Sequence, residues 1–393
     1  MKTASLGREE SVARNREELA QRRVTLSAPP RLVTLGAHAG CNARCVFCPP
    51  ESFPRFDLGR YQEFFEGRMG HFIRQAEKVT FTGYGEVLWS PDAVALLDYL
   101  NETIPETWKI FTTNGTPLRP EVMERLLESR YSIQVSLHAA SPAVHEELTG
   151  LKGAFAQIKD SVAWLCRERR SRGIGDRLHV VLVDVVTRRS ISDLAALVQM
   201  AWDLKGPEVQ CNYVTMYQPE HFELSPFFAQ AAANEAITAA ETELEKIRLS
   251  ADAEEFRHFS VRLPQRFGRT GTAPEGFCAE PWEHIYVEVQ GPVLPCCYWG
   301  VHVGNLAQGD DIDALWNGEF YRGMRAALAS GQPHPWCGHC VKYQGWSVDS
   351  LLNHITNRPD AQKRLLREIE ARGLADVSAY WPQVEAAERL MPR

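Results

Sequence analysis

From residue 31 onward, short apolar runs alternate with longer stretches in which apolar residues recur every three or four positions. The short runs Leu32–Leu35, Lys78–Thr82, Trp108–Thr112, Ile133–Leu137, Leu178–Val186 and Val209–Val214 read as strands. Between them the spacing predicts helices near 60–75, 92–102, 119–130, 142–170 and 191–203, with a further one near 228–248. Strands alternating with helices of this length predict an α/β chain with a parallel sheet and right-handed crossovers. In parallel barrels the chemistry sits at the C-terminal ends of the strands.

The flanks carry a different pattern. Residues 8–22 are helical in spacing and densely charged, which predicts a solvated helical extension over residues 1–30. The strand–helix region runs over 31–250. A charged, Gly- and Pro-containing linker follows over 251–275, then a cysteine-rich unit over 276–345 and a helical tail over 346–393.

Composition narrows the classes. The 393 residues carry a net charge of -7, so no global basicity points to nucleic acid. The longest apolar runs fall far short of a membrane span. The polar N-terminus lacks the apolar core of a secretory signal. Ten cysteines in clustered spacings read as metal ligands in a reducing compartment rather than disulfides, which predicts a cytoplasmic enzyme.

The most informative cysteines follow the first strand. Cys41, Cys45 and Cys48 lie in Gly-Cys-Asn-Ala-Arg-Cys-Val-Phe-Cys-Pro, a C-x3-C-x2-C spacing. Three thiolates on one short loop suit three irons of a cubane cluster and leave the fourth open. A zinc knuckle is the competing reading, but zinc sites usually close all four positions with a second pair. The chain resembles the radical S-adenosylmethionine (SAM) superfamily, which carries its cluster on this spacing. The resemblance implies a partial (βα)6 barrel, a [4Fe-4S] cluster on these cysteines, SAM at the open iron and a flavodoxin- or ferredoxin-type reductant. Electron transfer into SAM then yields a 5′-deoxyadenosyl radical that takes a hydrogen atom from the substrate.

Further residues follow from that resemblance. Gly83-Tyr84-Gly85-Glu86, at the end of the second strand, stands where the superfamily has a Gly-Gly-Glu motif that holds the SAM amino group, with Tyr84 as a departure. Gly83, Gly85, Glu86, Asn114 and Ser136 are therefore the expected SAM contacts. His138 is a candidate base or a hydrogen-bonded wall residue, and Asp184 is a buried carboxylate that needs a partner. On the sixth strand Cys211 and Tyr213 share one face and Gln210 and Asn212 the other, with the inward face undetermined. Arg188, Arg189, Tyr217 and His221 are mouth candidates by position.

The C-terminal unit holds Cys278, Cys296, Cys297, Cys337 and Cys340 around a predicted hairpin with its turn at Gln290-Gly291. The unit resembles the twitch domain, the one-cluster form of the SPASM domain of radical SAM enzymes. It matches in Gly291-x4-Cys296, in Gly304-Asn305-Leu306 and in the helix from Trp316. Cys278, Cys296, Cys337 and Cys340 are the expected ligands of one auxiliary [4Fe-4S] cluster, with Cys297 as an alternative to Cys296. Zinc is the competing occupant. The expected reaction is two-electron oxidation of a small polar substrate such as a sugar or aminocyclitol, the auxiliary cluster taking the electron. The alternatives are epimerisation with Cys211 or Cys297 returning a hydrogen atom, modification of a ribosomal peptide, and a non-catalytic metal scaffold.

Overall fold

The computed structural model describes residues 7–36, 40–48, 57–83, 85–216, 218–268, 277–288, 290–296, 302–332, 337, 348, 351–352, 359–382 and 384–385. The strands are β1 (Leu32–Gly36), β2 (Lys78–Thr82), β3 (Trp108–Thr113), β4 (Tyr131–Ser136), β5 (Leu178–Val186), β6 (Glu208–Tyr213), β7 (Val261–Arg262), β8 (His284–Glu288), β9 (Pro292–Leu294) and β10 (Gly304–Asn305). Among the described residues they form one sheet in the order β10-β9-β8-β1-β2-β3-β4-β5-β6-β7. β1 to β7 are parallel neighbours in sequence order, with helices packed between successive strands.

Alternation along each strand separates two environments. One face is apolar and fully buried under the helices: Val33, Leu35, Val79, Phe81, Phe111, Ile133, Val135, Val180 and Leu182. Phe81 stacks on Phe111 at 4.5 Å and on Phe65 at 6.3 Å, and burying each ring contributes about 1.5–3 kcal/mol. The opposite face carries Thr80, Thr82, Thr112, Ser132, Gln134 and Ser136, all half-buried. Ile110, Val181, Val183 and Val185 share this face, which lines the lumen.

Two expectations need correction. The N-terminal helix Arg8–Ala20 is not solvated on all sides. Asn15 is fully buried and its amide donates to the carbonyls of Pro29 and Trp282. Glu18 accepts from the Ser27 and Ala28 backbone and the Ser27 hydroxyl. The Asn15 amide nitrogen and the Glu18 carboxylate, which suggested solvent, are bonded within the chain instead.

The 251–275 segment is not a plain linker. It carries a short helix, Ala253–Arg257, and β7, which extends the sheet beyond β6. Phe267 stacks on Tyr213 at 4.8 Å, and the Tyr213 hydroxyl donates to the Gln265 carbonyl.

The C-terminal unit is continuous with the sheet rather than set apart from it. β8 pairs in parallel with β1, Thr34 opposite Tyr286, and β9 returns antiparallel on β8. The hairpin is present as predicted.

The tail also joins the core. Leu365, Leu366 and Ile369 of the helix Pro359–Ala371 are fully buried, and Arg372 pairs with Glu223 beside the segment that follows β6.

Candidate active site

The loop that carries Cys41, Cys45 and Cys48 leaves the C-terminal end of β1 and is tied down from three sides. The Glu86 N–H, just beyond β2, donates to the Gly40 carbonyl. The Arg44 and Val46 N–H groups donate to the carbonyls of Thr149 and Leu148, the last residues of the helix Pro142–Thr149. That helix ends at Gly150 with φ +71°, and a Cβ there would lie 3.3 Å from Arg44, so glycine lets the helix end meet the loop. From the end of β3, Asn114 Nδ2 donates to Asn42 Oδ1 at 2.8 Å. Asn42 Nδ2 in turn donates to Thr116 Oγ1 at 2.8 Å.

The three thiols share one electrostatic environment. Burial pushes the Cys45 thiol up to about 12, and the adjacent Cys48 and Cys41 push in the same direction. Burial likewise raises Cys41, while the Ala43 N–H and the Asn114 amide oppose the rise. A bound cationic centre reverses this, because thiolates are then the ligands. Among the described residues no three His, Cys, Asp or Glu side chains are gathered tightly enough for a single metal ion. Three thiolates on one loop are the ligand number of a cubane cluster with one iron left open.

Gly83 and Gly85 have φ of 147° and 116°, so the backbone just after β2 takes a path open to glycine. Glu86, next in the chain, is held by backbone donors. It is 2% exposed, its Oε2 accepts from the Asn114 N–H at 2.5 Å and its Oε1 from the Leu88 N–H at 3.3 Å. Burial lifts its carboxyl to about 7 against these hydrogen bonds and one from the Thr113 side chain. This carboxylate braces the ends of β2 and β3. Asn114 is committed in the same way, to Asn42, Thr116 and Cys41. Ser136 ends β4 on the lumen face and is half-buried.

His138 is a wall residue, not a base. Its Nδ1 accepts the Val185 N–H at 3.0 Å, its backbone N–H donates to His145 Nδ1, and Phe47 of the thiol loop meets its ring edge-on at 5.0 Å. Burial drives its pKa down to about 3, so it is neutral with the proton on Nε2. Phe47, Asn42 and Thr116 escaped the sequence reading. Phe47's place inside the C-x3-C-x2-C run was the available signal.

Cys211 faces away from the lumen. It pairs across from Asp184, and both lie on the buried, helix-covered face. Burial raises the Cys211 thiol strongly, with Asp184 adding to it. Asp184 has no arginine or hydroxyl partner at Oδ1, and burial beside Asp193 holds its carboxyl well above the usual range. Gln210 and Asn212 are the lumen-facing residues of β6. Of the mouth candidates, Arg188 and Arg189 are engaged with Glu223 and Glu147. His221 is buried beside Gln218, and Tyr217 lies outside the described residues.

At the other sheet edge, Cys296 and Cys337 are buried in one cluster with Met324, and Tyr286 and Phe320 pack against it. Cys278 precedes β8 and borders the main core. Cys297 and Cys340 lie outside the described residues. Because β9 runs antiparallel and Leu294 pairs with Tyr286, Cys296 lies toward the end of the strands opposite the thiol loop. The five residues of β1 set roughly 16 Å of strand between the two cysteine groups. Lumen-facing Thr34, His284 and Tyr286 occupy that interval. Thr34 Oγ1 lies 2.8 Å from His284 Nε2, and Glu280 takes both His284 Nδ1 at 3.0 Å and the Tyr286 hydroxyl at 3.1 Å.

The sequence model of the Radical SAM superfamily matches residues 37–201, and that of the SPASM iron-sulfur cluster-binding domain matches residues 278–341. The chain belongs to the radical SAM superfamily. Its fold is the superfamily's α/β fold, and its cofactors are the barrel [4Fe-4S] cluster, SAM and a C-terminal auxiliary iron–sulfur centre. This radical SAM enzyme is 21% identical over 315 residues to an AdoMet-dependent heme synthase of Methanosarcina barkeri, covering 77% of this chain and 86% of that one. It is 22% identical over 349 residues to the subtilosin biosynthesis protein AlbA of Bacillus subtilis, covering 86% and 70%. Streptococcus suis SuiB bound to S-adenosylmethionine superposes with a TM-score of 0.58 at 16% identity over 90% of this chain and 81% of that one. SuiB bound to its precursor peptide SuiA gives 0.55 at 15% over 80% and 70%. No helix among the described residues is long and apolar enough to cross a membrane.

Proposed function

We propose that this enzyme oxidises its substrate by two electrons, one leaving as a hydrogen atom and the other through the C-terminal cysteine site. The carrying observation is the position of the lumen between the two cysteine groups, on strands joined directly in register. When bound, the barrel cluster and SAM supply the radical that takes the hydrogen atom. Cys41, Cys45 and Cys48 would hold that cluster, the turn at Gly83 and Gly85 would meet the SAM amino group, and Ser136 would face the bound molecule. Cys278, Cys296, Cys337 and Cys340 would hold the electron acceptor.

The substrate class we favour is a peptide, because AlbA is a bacteriocin biosynthesis protein and SuiB was solved with a precursor peptide. The names of the relatives described above offer no support for a sugar or aminocyclitol. The small polar substrate survives as a second reading on one observation, the uncharged polar lining of Thr80, Thr112, Gln134, Gln210 and Asn212. Epimerisation loses its barrel thiol with Cys211 turned outward.

The test is anaerobic reconstitution with iron and sulfide counts, then dithionite reduction with SAM. About eight irons per chain, falling to about four in a Cys41/Cys45/Cys48 triple alanine variant, with 5′-deoxyadenosine formed by the wild type alone, supports the reading. Four irons plus one zinc removes the electron acceptor and defeats the oxidation. Peptide and polyol panels, read by loss of two hydrogens in the product mass, then decide the substrate class.

A further inference from the structure

Asn114 stands at the centre of a closed polar set against the first thiol of the loop. Its Nδ2 donates to Asn42 Oδ1 at 2.8 Å and lies 3.9 Å from Cys41 Sγ. Its Oδ1 accepts from the Thr116 N–H at 3.0 Å and from the Thr116 hydroxyl at 2.6 Å. The Thr116 hydroxyl also accepts from Asn42 Nδ2, so Asn42, Thr116 and Asn114 form a ring. The backbone of Asn114 is fixed independently by Glu86 Oε2. An amide gripped at its oxygen and its backbone has one free direction for its second N–H, and Cys41 Sγ lies there. The Ala43 N–H, 3.4 Å from the same sulfur, supplies a second donor.

Hydrogen bonds to a ligating sulfur draw charge from it and favour the more negative, reduced state of an iron–sulfur cluster. We propose that Asn114 is a positioning residue for Cys41, its side-chain amide donating to the thiolate and raising the reduction potential of the barrel cluster. The amide thereby eases one-electron entry, the step that precedes SAM cleavage. This assigns Asn114 to the sulfur rather than to SAM, and it rests on Cys41 being a ligand of that cluster.

The experiment is redox titration of the reconstituted full chain, following by electron paramagnetic resonance the reduced signal that SAM perturbs. Asn114→Ala removes the donor, and Asn114→Asp keeps the shape and the Thr116 contacts while replacing the donor with an acceptor. Both variants are expected to be harder to reduce, by roughly tenfold in the equilibrium, or about 59 mV for a one-electron couple. Asn42→Ser breaks the ring without removing the sulfur contact and is expected to keep the wild-type potential. An unshifted potential in the Asn114 variants overturns the proposal. So does loss of iron loading in both, which would make the side chain a scaffold for the loop. A Cys41→Ala variant that retains the SAM-sensitive signal would instead defeat the assignment of Cys41 as a ligand.

Discussion

The Glu86 carboxylate accepts the backbone N–H of Asn114 at 2.5 Å, which fastens the end of β2 to the end of β3. The same residue's N–H holds Gly40. One buried residue therefore registers both walls of the site against the thiol loop, its side chain bonding across β2 and β3 and its backbone N–H holding the loop. Glu86→Ala strands the N–H groups of Leu88 and Asn114, at about 1–3 kcal/mol for each buried donor left unpaired. Urea denaturation is expected to show that loss, and iron loading is expected to fall at the barrel site while the C-terminal site still fills.

The buried pair His138 and His145 predicts acid sensitivity. Burial lowers their pKa values to about 3 and about 4, below the ordinary 6.5. The unfolded chain then takes up protons first as the pH falls, so stability present at pH 7 is lost below about 6.5. At pH 5 the cost is about 2 kcal/mol for each histidine, from 1.36 kcal/mol per pH unit. Glu86, with its raised pKa, acts in the opposite sense between about 4.5 and 7. His145→Gln is expected to reduce the stability lost between pH 7 and pH 5 by about 2 kcal/mol relative to wild type in paired urea titrations. An identical loss would contradict the assignment.

Arg325 joins three stretches of chain. Buried against Trp316 and Tyr321, it donates to the carbonyls of Pro281, Val24 and Trp316. Burial lowers its pKa to about 9. Arg325→Leu leaves those carbonyls without a donor, a loss of several kcal/mol at about 1–3 kcal/mol each. Arg325→Lys is expected to recover little of it, since one ammonium cannot reproduce the fork. Thermal unfolding of the three proteins side by side checks the order.

Cys211→Ala tests the orientation of β6. A thiol on the helix side is not needed for hydrogen transfer, so 5′-deoxyadenosine formation is expected to match wild type. Stability is expected to fall by about 1 kcal/mol for the lost packing. A variant that still cleaves SAM but no longer forms product would return this thiol to the chemistry.

The strands Lys78–Thr82 and Leu178–Val186 were legible end to end, because β-branched residues repeat there with period two between turn signals. The thiol loop was legible from spacing alone. The facing of β6 was not, since Gln210 and Asn212 alternate with Cys211 and Tyr213 and the alternation alone does not say which face turns to the lumen. Only the register with β5 decides it. The burial of the N-terminal helix escaped for a different reason. Asn15 and Glu18 look solvated until their partners are known, and Trp282 is 267 residues away from Asn15. The bracing contacts of Glu86 were not legible either, because they depend on backbone donors that no side-chain pattern announces.

The pairing of β1 with β8 orders events in time as well as in space. Thr34 and His284 are 250 residues apart, and at about 5–20 residues per second the ribosome needs on the order of tens of seconds to make that interval. Through that period the first strand has an open edge on one side, while the strands on its other side emerge in sequence. The three thiols that follow it exist long before Cys278 does. The two iron centres therefore become available for loading one after the other, and the barrel's first edge closes only when its last parallel strand has been made.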